Sequence, residues 1–136
     1  MIGKLYHLTG EITWQEILNK QLKWMGREAQ TSPANHSFTL LAFQTVLYSH
    51  TQLVAVSSQP GIQKELAGLK REVPTDIDII FKNPENEVLL SKIAPFTQDY
   101  PVDSEKSQFY LCKNGTCLKP VDCISHLKEA IESISS

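Results

Sequence analysis

Phe109-Tyr110-Leu111-Cys112-Lys113-Asn114-Gly115-Thr116-Cys117-Leu118-Lys119 is the stretch on which the reading of the fold turns. Short β-prone runs flank Asn114-Gly115, the dipeptide whose members accept positive φ, so the spacing predicts a hairpin with a two-residue turn. In that register Lys113 faces Thr116. Cys112 faces Cys117 as a non-hydrogen-bonded pair, with Cα atoms roughly 4.5 Å apart. Downstream, Asp122 is placed to cap a last helix carrying Ile124, Leu127, Ile131 and Ile134 on one face.

Upstream of the hairpin, Leu53 to Ser57 is short, apolar and β-branched, the pattern of a buried strand. Pro60 opens a helix with Ile62, Leu66, Leu69 and Val73 inward and Lys64, Glu65, Lys70 and Arg71 outward. Ile77 to Phe81 reads as a second strand, and Asn83-Pro84 starts a short helix carrying Val88, Leu89 and Ile93. Residues 52–136 therefore read β-α-β-α-β-β-α, the first two strands parallel through a right-handed crossover. That is the element order of a thioredoxin fold. The fold class is α/β, with a helical hairpin ahead of it.

Residues 1–51 supply that hairpin. Leu5 to Thr9 followed by Gly10 reads as a last helical turn closed by glycine. Thr13 and Glu16 stand in the capping-box relation at the head of a helix whose face is Trp14, Ile17, Leu18, Leu22 and Met25. Gly26 is read as its stop and Arg27 to Thr31 as a loop. Ser32 and Pro33 start the next helix, where Phe38, Leu40, Leu41, Ala42, Phe43, Val46, Leu47 and Tyr48 surround the axis. A helix apolar on nearly all sides needs cover on nearly all sides. One partner helix cannot provide it, so the expectation is a piece from the C-terminal end of a larger protein, or self-association.

Composition narrows the function classes. The formal charge is −2, and the 13 basic residues are dispersed without aromatic interleaving, which argues against nucleic acid as a partner. No apolar run approaches the roughly 20 residues that span a bilayer, so no membrane role is expected. The start Met1-Ile2-Gly3-Lys4 lacks a signal-peptide pattern, and the count of 3 cysteines does not fit a secreted disulfide scaffold. The expected compartment is the cytoplasm, and the sequons at Asn35 and Asn114 are read as chance.

The run Tyr110 to Pro120 resembles the C-terminal signature of thioredoxin-domain-containing proteins of the YyaL or spermatogenesis-associated type. In that family two cysteines lie in a Tyr-Val-Cys hairpin followed by a proline and a closing helix. Ile93-Ala94-Pro95-Phe96, Tyr100 to Asp103 and Leu53-Val54-Ala55-Val56 also resemble it. Leu5 to Gly10 and the Ser32-Pro33 helix resemble the final hairpin of its helical barrel. The resemblance implies a parent with a thioredoxin-like domain and an (α/α)6 toroid, similar to sugar-processing epimerases. Gly115 departs from the family, which usually has an aromatic residue there.

Cys112 and Cys117 are the redox candidates. A disulfide is feasible, and the competing reading, two reduced thiols packing as small apolar residues, is the one favoured in a cytosolic hairpin. The spacing is not Cys-x-x-Cys at a helix start, and Ser57-Ser58-Gln59-Pro60, after the first strand, holds no cysteine. A zinc site from Cys112, Cys117, Cys123 and His126 matches no common module, so no metal and no cofactor are expected. Asn35 and His36, at the start of the over-apolar helix, are ligand candidates for a toroid cavity, against the plainer role of finishing that helix start. His7, His50 and His126 show no partner, and Glu11, Glu16 and Glu28 read as solvated. The expectation is a non-catalytic structural or interaction module. The alternatives are a thiol–disulfide module and a part of a carbohydrate-active toroid.

Overall fold

The computed structural model describes residues 2–47, 50–73, 77–114 and 116–135. It is a mixed α/β protein with an N-terminal helical region and a four-stranded mixed sheet. The chain forms two compact units, Met1–Ser49 with Ile93–Pro95, and His50–Lys92 with Phe96–Ser136.

In the first unit, α1 (Ile2–Thr9) ends where the glycine signal placed it. Gly10 has φ +70°, and its N–H donates to Tyr6 O at 2.8 Å. Helix α2 (Ile12–Thr31) departs from the sequence reading in two ways. Its N-cap is Glu11, and no side chain caps it, so the Thr13–Glu16 capping box does not form: Thr13 already lies inside the first turn. Nor does Gly26 stop the helix, which runs on through Arg27 to Thr31. Phe43 of α3 (Ser37–Leu47) packs over Gly26, its Cζ 3.7 Å from where a Cβ would stand. Trp14, Ile17, Leu18, Leu22 and Met25 are half-buried along one face, as their spacing required, and Ala29 extends that face into full burial.

A 3-10 turn, Pro33–His36, leads into α3 with the proline at its start, and Ser32 precedes it without a side-chain cap bond. Thr39, Phe43 and Val46 form the half-buried stripe of α3. The opposite side is open, with Phe38 86%, Leu41 58% and Leu40 47% exposed. Tyr48 lies outside the described residues.

The second unit contains β1 (Thr51–Val56), α4 (Ile62–Glu72), β2 (Ile77–Lys82), all but the last residue of α5 (Glu87–Ile93), all but the first residue of a 3-10 turn (Pro95–Asp99), β3 (Gln108–Lys113), β4 (Thr116–Cys117) and α6 (Ile124–Ser135). The strand order is β2-β1-β3-β4, with β1 parallel to β2 and antiparallel to β3, and β4 antiparallel to β3. Alternate residues of each strand point to opposite faces. One face, with Leu53, Ala55, Ile77, Phe109 and Leu111, meets Ile62, Leu66, Leu69 and Val73 of the α4 segment and Leu127 and Ile131 of α6. Each Leu, Ile, Val or Phe among them contributes about 1.5–3 kcal/mol when fully buried. At the exposed rim Lys128 of α6 donates to Glu72 of α4 at 2.8 Å.

Pro60 does not itself begin α4. Gly61 is the N-cap, with φ +100°, and its carbonyl accepts from Lys64 and Glu65. The two glycines therefore carry opposite expectations. Gly26→Ala should stabilise the protein by up to about 1 kcal/mol, because alanine is the better helix former and its methyl meets Phe43 at ordinary contact. Gly61→Ala has open space but a left-handed backbone, and should cost about 1–2 kcal/mol. Denaturant unfolding of both variants measures the two signs.

Candidate functional site

The sheet's second face carries the candidate chemistry. Register places Asp78, Gln52, Cys112 and Cys117 in one row across the four strands, and Ile80, Val54 and Tyr110 in the next. Val54, Val56, Ile80 and Cys112 are buried here, so this face too is covered. Part of the cover is the chain around Thr97 and Tyr100, anchored by Lys82 at the end of β2.

Lys82 is 1% exposed. Its ammonium donates to the backbone carbonyls of Thr97 at 2.9 Å and Tyr100 at 2.8 Å, and lies 3.1 Å from Glu87 Oε1. A buried ammonium is tolerated only with such partners. The lysine thus ties an irregular segment to a strand, and in doing so fixes Tyr100.

The hairpin forms in the register that Asn114-Gly115 implied, and Asn114 has φ +53°. Gly115 lies outside the described residues. Asn114 N donates to His50 O, and its side-chain oxygen accepts from His50 N, both at 3.1 Å, which pins the turn to the start of β1. Leu118 N donates to Leu111 O at 2.8 Å, which leaves the adjacent Cys112–Cys117 pair without ladder bonds, as expected. A paired bridge of Phe109 with Val121 then continues the ribbon past Pro120 with one extra residue on the returning strand.

Here the expectation of reduced thiols is corrected. Cys112 and Cys117 form a disulfide, with Cα atoms 3.9 Å apart. The physical reason is the pairing itself, since a non-hydrogen-bonded pair brings opposed Cβ atoms closest together. The two sulfurs differ in access: Cys112 is buried, whereas Cys117 lies exposed on a two-residue edge strand. Tyr100 Oη lies 3.3 Å from Cys117 Sγ and 3.9 Å from Cys112 Sγ. A disulfide sulfur carries no proton, so the phenol is the donor. Its ring packs on Tyr110 at a centroid distance of 4.4 Å, and the Tyr110 hydroxyl donates to Gln108 Oε1.

Burial raises the Tyr100 pKa above the usual phenol value, with the Asp99 charge and Tyr110 adding to it. Burial also raises that of Tyr110. Both rings remain protonated donors across the neutral range.

At the end of β1, where a thioredoxin-type dithiol would sit, the hydroxyls hold loops. Ser57 and Ser107 share a buried 2.7 Å hydrogen bond, Gln59 N donates to Ser57 Oγ at 3.0 Å, and Ser58 Oγ donates to Ser104 O at 2.8 Å. While bridged, Cys112 and Cys117 have no thiolates to offer the four-ligand zinc grouping. Cys123 is a free thiol near Asp122 and His126, whose side chains are exposed. His126 and His50 do have partners, Asp122 at 3.5 Å and Asp78 at 3.4 Å. Asn35 is exposed, and the His36 ring donates from Nδ1 to Ser32 O at 2.8 Å, closing its own turn. Sequence reading missed Lys82 and the placing of Tyr100. The Ile77–Lys82 pattern marks a strand but does not show that its lysine faces inward.

Two outcomes follow from this geometry. Lys82→Met should destabilise the protein by about 1–3 kcal/mol, because the half-buried Tyr100 carbonyl loses the lysine and Thr97 O keeps the longer 3.3 Å bond from Tyr100 N; thermal or urea unfolding measures it. For the phenols, the raised folded pKa means that stability is fully present below about pH 10, the unfolded value. It is then lost as pH rises through the folded values. Ultraviolet titration should show Tyr100 and Tyr110 ionising later than free tyrosine, the late component shrinking in Tyr100→Phe. Neither a protein-family model, a curated protein nor a solved structure matches the chain.

Proposed function

We propose that this chain is a non-catalytic structural and interaction module of a larger protein of the thioredoxin-plus-six-hairpin type. In this reading α1 to α3 form the last helices of a toroid, and residues 50–136 are a closing α/β module of thioredoxin-like topology. The observation that carries it is the open side of α3. Phe38, Leu40 and Leu41 are exposed on a helix whose residues are otherwise those of a core, while the sheet of the second unit is buried on both faces. The occupant of the α3 face is then the neighbouring inner helices of the same toroid.

Three further points support the reading. The residues resembling the family fall on the hairpin, on β1 and on the segment around the 3-10 turn of Pro95–Asp99. The β-α-β-α-β-β-α order, with β3 antiparallel to β1, agrees with a thioredoxin-like topology. The β1–α4 junction carries serines engaged in loop hydrogen bonds, with no dithiol. Among the described residues no helix is long and apolar enough to cross a membrane, and we place the module in the cytoplasm.

The test is hydrodynamic. Without its toroid neighbours the chain should self-associate through α3 in light scattering at high concentration. Phe38→Asp with Leu41→Asp should make it monomeric with unchanged far-ultraviolet circular dichroism, and neither form should turn over insulin disulfides. A wild-type monomer at every concentration, or catalytic turnover, contradicts the proposal.

A further inference from the structure

Independently of that reading, we infer that Cys112–Cys117 with Tyr100 is a thiol–disulfide exchange site for a dithiol reductant, with Cys117 as the attacked sulfur. Access fixes the direction. Exchange requires a thiolate to reach one sulfur along the S–S axis. Cys117 is exposed on the edge strand, whereas Cys112 is 7% exposed under the second face of the sheet. Only Cys117 is open to a partner.

Tyr100 supplies the second element. Its hydroxyl lies near both sulfurs, 3.3 Å from Cys117 and 3.9 Å from Cys112, and can turn from one to the other. It is held from two directions, by the ring contact with Tyr110 at 4.4 Å and by the Lys82 ammonium on its own carbonyl at 2.8 Å. A neutral donor fixed beside a sulfur stabilises the thiolate that leaves. Because the phenol is the weaker acid, it donates a hydrogen bond without giving up its proton.

The exchange balances in two displacements. One thiolate of the dithiol bonds to Cys117 Sγ, and the S–S electron pair goes to Cys112 Sγ, which then takes a proton from solvent. The second thiol of the reductant, deprotonated, attacks its own sulfur in the mixed disulfide. That expels Cys117 as a thiolate beside Tyr100, and this sulfur in turn takes a proton from solvent. The dithiol leaves as a disulfide, and the protein gains two electrons and two protons. The consequence is structural: β4 is two residues long, and the bridge is a covalent tie between it and β3.

The experiment uses the whole chain with two probes, glutathione to trap the mixed disulfide and dithiothreitol to complete reduction. After acid quench and alkylation, peptide mass spectrometry should place glutathione on Cys117 and leave Cys112 alkylated. Tyr100→Phe, which keeps the ring, should slow reduction by dithiothreitol roughly five- to tenfold, the scale of one lost hydrogen bond of ordinary strength. It should also shift the pH profile of Cys117 alkylation in the reduced protein to higher pH, a change that a packing role alone would not produce. Circular dichroism establishes that the variant is folded, and the mapping of glutathione needs no variant. Glutathione on Cys112, an unbridged pair in the mildly oxidised protein, or equal rates and pH profiles in the two proteins would overturn the inference.

Discussion

Strand β1 is the element on which the second unit depends. Leu53, Val54, Ala55 and Val56 are each at most 1% exposed, so both faces of the sheet must be covered at its centre. A strand apolar on consecutive residues can satisfy its backbone only by pairing on both edges, and it does so, with β2 parallel and β3 antiparallel. The crossover helix α4 and the closing helix α6 then share one face. The other face is closed by means that are partly polar, namely Lys82, the chain around Thr97 and Tyr100, and the tyrosine pair.

That polar closure makes the candidate site possible. An apolar cap over the second face would leave nothing to hold a phenol beside two sulfurs. Lys82 instead converts an irregular segment into a fixed one, by satisfying two carbonyls that have no ladder to join. The hydroxyl of Tyr100 is then located by backbone constraint as well as by its own ring contact. Stability and chemistry here draw on the same buried cation. A change at Lys82 should disturb both, whereas a change at the Tyr100 hydroxyl should disturb mainly the exchange.

Much of the second unit was legible because its signals are local and strong. Asn114-Gly115 set the hairpin register, and that register alone put Cys112 opposite Cys117. Whether the sulfurs are joined was not legible, since sequence carries no statement of redox state. His50 looked unpartnered because Asp78 is distant in sequence; the parallel register of β1 on β2 brings them together. Lys82 and Tyr100 escaped for a different reason. Their partners are backbone carbonyls and sulfurs reached through an irregular segment, and no periodicity encodes such contacts. In the first unit Gly26 was misread because a helix interior tolerates a glycine at a cost near 1 kcal/mol, so a lone glycine is weak punctuation. The capping-box pattern failed because the helix begins ahead of Thr13.

The account's central claim is that residues 50–136 bury their own interior while the helical region awaits cover on its α3 side. Native-state hydrogen exchange measures this directly, residue by residue. The account predicts that the amides of Leu53 to Val56 exchange only through global unfolding of their unit, while those of Phe38 to Phe43 exchange orders of magnitude faster through local opening. Equal protection of α3 and β1 in a monomeric chain would contradict it.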